Sequence, residues 1–88
     1  MKIYQSETNI KQAKSLFSSC SLDAAFCYRM LDRLKTDAEG FLSNGNSLWG
    51  GDSATHANAL VYIWNALEVK PDWFTAKEVR IMTSKLGA

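Results

Sequence analysis

The chain contains a single imidazole, His56, with a carboxylate, Asp52, four residues before it and a hydroxyl, Ser53, three residues before it. Four residues is just over one helical turn, so Asp52 and His56 share a face, the spacing of an acid-base pair or of two metal ligands. A metal needs three or four donors, and no second histidine or suitably spaced cysteine joins these two, so no metal is expected. Ser53, His56 and Asp52 are the ingredients of nucleophilic catalysis, but neither a glycine elbow nor an evident set of oxyanion donors accompanies them. A helix-capping aspartate followed by a histidine in the next turn accounts for the pair. Gly45, Gly50 and Gly51 lack the Lys and Ser or Thr that engage phosphate and metal, and they read as turns. No catalytic residue and no cofactor is expected, and the chain reads as a non-enzyme.

Cys20 and Cys27, seven residues apart, would lie about 10.5 Å apart on one helix, too far for a disulfide. Both are expected to be reduced, buried thiols. No signal peptide is evident and no apolar run approaches the roughly 20 residues of a membrane span, so the expected compartment is the cytoplasm. Asp37 falls three residues after Leu34 and four before Phe41, at the edge of an apolar stripe. There it is expected to accept hydrogen bonds from the backbone amides around Asn44 to Asn46 and so fix the following loop. Trp49, between the turn signals Asn44-Gly45-Asn46 and Gly50-Gly51-Asp52, is expected to fold back onto the core.

The elements that position these residues are helical. Ile10, Ala13, Leu16, Phe17 and Cys20 recur at helical spacing after a Ser6-Glu7-Thr8 start, which predicts a helix over about 7–20. Cys27, Leu31, Leu34, Ala38 and Phe41 form the seam of a second, over about 22–43. Asp52 or Ser53 caps a third, about 53–67, which is apolar nearly all round and is therefore expected to be central. Lys70-Pro71 ends it, and the capping box Thr75-Ala76-Lys77-Glu78 opens a fourth, about 75–86. The fold class read from this pattern is all-α: a compact four-helix array with an ordered loop at 43–52.

With 88 residues, of which 47% are hydrophobic, residues 1–88 make one domain with material for a core but a thin margin of stability. The net charge of +1 is far from that of a nucleic-acid mimic or a non-specific DNA binder. It is unevenly spread: net +3 over residues 1–36, −3 over 37–66 and +1 over the remainder.

The order Met30-Leu31-Asp32-Arg33-Leu34-Lys35-Thr36-Asp37, Phe41-Leu42-Ser43-Asn44-Gly45-Asn46, Leu48-Trp49 and Lys70-Pro71-Asp72-Trp73-Phe74-Thr75 resembles one of the large polyvalent protein-associated domains, over roughly residues 28–80. Gly40 stands where that pattern usually has an aromatic, and Ser43 where it usually has glycine. The resemblance implies a protein of a plasmid, conjugative element or phage, in a family that accompanies DNA transfer and helps the element survive host defences. It supplies no catalytic residues.

Two functional readings follow. In the first, the protein binds a host protein and counters a defence system of the restriction or CRISPR kind, through solvent-facing helix surfaces. Tyr28, Arg29, Arg33 and Tyr62 are the expected partner-binding residues, because aromatic and arginine side chains dominate binding energy and these lie off the apolar seams. The alternative is a small nucleic-acid-binding protein that uses the basic side of the first two helices, Lys11, Lys14, Arg29, Arg33 and Lys35. The closing Trp73-Phe74-Thr75 segment resembles the opening of a helix-turn-helix unit, but a recognition helix would have to begin at Ala88, so it is expected to be a local helix start.

Overall fold

In the computed structural model, which describes residues 2–48 and 51–87, the chain forms α1 (Glu7–Leu16), α2 (Ala24–Asn44), α3 (Ser53–Ala66) and α4 (Ala76–Lys85). Each begins on a side chain that takes the place of a missing helical acceptor: Ser6, Asp23, Asp52 and Thr75 accept from the amide three residues on. Thr75 and Glu78 complete the capping box in both directions. No strand occurs among the described residues, and none of their helices is long and apolar enough to cross a membrane.

α3 packs against α1, α2 and α4, the central position that its all-round apolar surface predicts. Leu60, Ile63 and Trp64 of α3 meet Cys27, Leu31 and Leu34 of α2, with Phe17, Phe74 and Val79 closing the cluster. A smaller cluster of Ala38, Ala57 and Leu86 lies toward the C-terminal end of α2. The Cα radius of gyration is 11.9 Å, against about 12 Å expected for a chain of this length.

α1 is shorter than the sequence predicts. It stops at Leu16 with Phe17 as its cap, because Ser18-Ser19-Cys20-Ser21 turns the chain instead of carrying the helix on. Cys20 is consequently exposed, not buried, and only Cys27 is a core thiol. Ile10 and Leu16, expected to face inward, are 37% and 38% exposed; Ala13 and Phe17 carry the burial.

α2 ends on Gly45, which adopts a left-handed φ of 72° and donates to the Phe41 carbonyl. Gly40, one turn earlier, leaves room for the side chain of Asn46: a Cβ there would lie 3.0 Å from Asn46 Nδ2. Its small size therefore makes room for a side chain that folds back over the end of the helix.

Candidate partner-binding surface

The groups singled out for chemistry are held by the fold. The His56 ring is fully buried, and its Nε2 lies 2.7 Å from the carbonyl oxygen of Leu34 in α2. A carbonyl only accepts, so Nε2 carries the proton, and Nδ1 is a buried acceptor with no partner among the described residues. Asp52 and His56 meet through the helix backbone, the His56 amide donating to the Asp52 carbonyl at 3.0 Å, and the Asp52 carboxylate bonds elsewhere than to the ring. That carboxylate accepts from the Thr55 amide at 2.8 Å and the Thr55 hydroxyl at 2.9 Å, and these bonds hold its carboxyl below the ordinary carboxylate range. Burial raises the Cys27 thiol, with the Asp23 charge adding to the effect, so this sulfur is kept protonated.

Asp37 departs from its expected role. The amides of Gly45 and Asn46 donate to the carbonyls of Phe41 and Gly40, so the helix terminus itself consumes them. Asp37 instead lies 3.8 Å from Arg33 in a partly exposed pair one turn apart on α2. Asn44 is the last residue of α2 and is exposed, as is Asn46. Leu48 is buried at 9% exposure, whereas Trp49 lies outside the described residues, and with it the expectation of its burial.

The four residues expected to bind a partner are spread over the surface. Arg29 and Arg33, one turn apart, form an exposed stripe on one flank of α2. Tyr28 is about 140° round the helix from Arg33, half-buried, with its hydroxyl donating to the Val69 carbonyl at 2.6 Å. Tyr62, on α3, stacks on Phe17 with ring centroids 6.2 Å apart, and Phe17 meets Phe26 edge-on. The two tyrosines are therefore partly structural, and the arginines are the two that are exposed, Arg33 beside Asp37.

Other polar residues do more to shape the surface than the sequence suggests. Asn58 and Asn65, seven residues apart on α3, hold the N-terminal segment. Asn65 accepts from the Ile3 amide at 2.9 Å and donates to its carbonyl at 2.8 Å. Asn58 donates to the Asn9 carbonyl at 2.7 Å and to Gln12 Oε1 at 2.8 Å, and Gln5 Nε2 donates back to Asn58. Lys70 donates to the carbonyls of Trp64, Asn65 and Leu67 at the end of α3 and lies 4.6 Å over the Trp64 ring. Burial lowers its pKa, with the Lys2 charge contributing. The one legible signal for the asparagines was their interval of seven, two turns, in an otherwise apolar helix.

Across the face formed by α2 and α4, Lys35 lies 3.4 Å from Glu39 and 5.5 Å over the Phe74 ring. Glu78 is held below the ordinary carboxylate range by the Thr75 amide and hydroxyl, and the Lys35 charge adds to this. Among the described residues, no three His, Cys, Asp or Glu side chains converge as a metal site would require.

A family model described as large polyvalent protein-associated domain 11 matches residues 24–86, which span α2 through α4. No curated protein and no solved structure matches the chain.

Proposed function

Because the chain belongs to the large polyvalent protein-associated domain 11 family, whose domains occur in polyvalent proteins of phages and other mobile elements, we propose that it is a non-enzymatic module acting by protein-protein binding. Its partner is a host protein, and its role is to counter a host defence system of the anti-restriction or anti-CRISPR type, in the host cytoplasm. The observation that carries this reading is the division of labour among side chains. The imidazole, the buried thiol and the Asp52 carboxylate each serve the fold, while arginine and large apolar groups stand open on helix surfaces. Arg29 and Arg33 on α2 and Trp73, 44% exposed, are side chains of the kind that anchor interfaces.

The same surface is a poor match to a phosphate backbone. Arg33 is paired with Asp37 and Lys35 with Glu39, so the cationic side of α2 is interrupted by carboxylates one turn away from each base. The deciding experiment is recovery of the partner from host lysate with and without nuclease. A stoichiometric host protein that stays bound after nuclease treatment and in about 0.3 M salt supports the reading, since such salt weakens phosphate contacts far more than a packed interface. Tight gel-shift binding that Arg29→Glu with Arg33→Glu abolishes, with no host protein recovered, replaces it with the nucleic-acid alternative.

A further inference from the structure

The segment 2–6 runs along α3 without forming a helix, and α3 holds it by its main chain. One carboxamide, Asn65, accepts from the Ile3 amide and donates to the Ile3 carbonyl, at 2.9 Å and 2.8 Å. Every residue except proline presents that pair of groups, so Asn65 reads an extended backbone and not the side chain it carries. Two turns earlier on α3, Asn58 accepts from the side chain of Gln5, and Ile3 packs beside the main core. α3 thus carries a bed for an extended peptide with an apolar residue and, two positions on, a carboxamide, and residues 2–6 lie in it.

The segment does not fill that bed. A cavity of about 250 Å³ remains beside Ile3, walled by Ala57, Asn58 and Val61, and a second of about 330 Å³ lies at the other end, between Lys2, Asn65, Glu68 and Lys70. Tyr4 is 88% exposed, so the largest side chain of the segment stands almost wholly in water. Lys2 brings an ammonium toward that of Lys70, which is already tied to three carbonyls at the end of α3, and its charge helps to lower the Lys70 pKa. Glu68 lines the same cavity but forms no ion pair with either lysine among the described residues. Space left beside the apolar anchor and like charges at one end are the marks of an occupant that a better-fitting one can displace.

We propose that this bed on α3 is a docking site for an extended segment of a partner protein, and that residues 2–6 are its internal occupant, a strap that the partner's segment displaces. The segment it takes has an uncharged residue in place of Lys2, a larger apolar residue in place of Ile3 and a carboxamide in place of Gln5. Lifting the strap breaks two main-chain bonds, the contacts of one glutamine side chain and those of one half-buried apolar group, whereas α1 keeps its own bonds to Asn58 through the Asn9 carbonyl and Gln12. The strap is therefore the part of the fold that opens first. The proposal rests on the protein-binding reading above and names the chemistry of the partner.

The probe is a dye-labelled peptide of residues 2–9, and the readout is fluorescence anisotropy with the purified full chain. Ile3→Pro in the chain removes the amide from which Asn65 accepts and lifts the strap while leaving the bed and the helical spectrum intact. The peptide binds this opened chain with a dissociation constant of about 100 µM and the parent about tenfold more weakly, because the strap competes at an effective concentration of about 1 mM. A peptide carrying Lys2→Gln and Ile3→Phe binds the opened chain about tenfold more tightly than the native peptide, and Ile3→Pro in the peptide abolishes binding. Added to the parent chain, the improved peptide shifts the side-chain amide signals of Asn65 in NMR spectra, a readout that needs no variant. No binding to the Ile3→Pro chain up to about 2 mM overturns the proposal. So does a native peptide that is the tightest of the series, the result for a strap that only closes the fold, or a proline peptide that binds as well as the native one. Because no lysate enters these measurements, their failure leaves the protein-binding reading standing, and a host-partner search that recovers nothing leaves the peptide affinities as they are.

Discussion

His56 donates through Nε2 to a carbonyl on α2 and leaves Nδ1 bare, so the ring acts as packing between α2 and α3 with one directional bond. Removing it opens a cavity and strips the Leu34 carbonyl of that bond. His56→Ala should lower the urea stability by about 2–4 kcal/mol, the range for truncating a buried ring that also donates. Asp37 belongs to a different class. As a partly exposed one-turn pair with Arg33, it contributes about 0.3–0.5 kcal/mol, and Asp37→Ala should shift the denaturation midpoint barely beyond error. A larger loss would mean that the carboxylate serves the loop after all. Asp52 and Glu78 both titrate below their ordinary range in the folded chain, because caps bond to their ionised forms. The unfolded chain therefore binds more protons wherever the two states differ. The stability from both caps is complete above the ordinary carboxylate values and disappears as the pH falls through the lowered ones. The thermal midpoint should hold steady above about pH 5 and decline below about pH 4.5. Asp52→Asn keeps an acceptor oxygen at the cap and removes one titrating group, so its decline should be shallower.

The helices themselves were legible because their start signals are local: the Thr75-Glu78 box caps as read, and of Ser6 or Thr8 and of Asp52 or Ser53, between which the sequence does not choose, the chain caps on Ser6 and Asp52. The length of α1 was not legible. A 3.6-residue recurrence of apolar side chains runs from Ile10 to Cys20, yet the chain leaves the helix at Phe17, since the serines that follow bond to backbone as readily in a turn as in a helix. Nor could periodicity show that α1 meets α3 through amides. Asn58 and Asn65 read as imperfections in an apolar helix, and only the fold reveals that the extended segment around Ile3 and the first turns of α1 answer their hydrogen bonds. Of the four expected partner residues, the sequence could place each off its apolar seam, but the tertiary contacts of Tyr28 with Val69 and of Tyr62 with Phe17 lie 41 and 45 residues away in the chain. Asn58→Ala should leave Gln12 and the Asn9 carbonyl without their donor and cost about 1–3 kcal/mol. Hydrogen exchange would show where: amides of residues 7–16 should lose protection while those of α2 keep theirs, because α2 reaches α3 through apolar side chains. Uniform loss across all four helices would mean that α1 does not open separately.

At the scale of the whole molecule, the family match and the folding unit have different limits. The match starts at Ala24 and takes in three helices, whereas α3 is buried from His56 through Val61 on sides that no two neighbours could cover. α1 supplies the remaining cover: Ala13 is fully buried, and Phe17, 3% exposed, joins the main core between Phe26 and Tyr62. Without it, Val61, Tyr62 and Phe26 would face water together, an apolar patch in a chain whose size leaves little stability to spare. A fragment of residues 24–88 should therefore keep much of its helical far-ultraviolet signal but lose the sharp unfolding transition of the full chain and bind a hydrophobic dye, the behaviour of a collapsed helical state without fixed packing. Adding a peptide of residues 1–23 should restore a cooperative transition, since the amide contacts of Asn58 and Asn65 supply its register on α3. If the fragment alone melts as sharply as the full chain and leaves the dye dark, then three helices suffice, and the N-terminal helix is an addition to a module already complete.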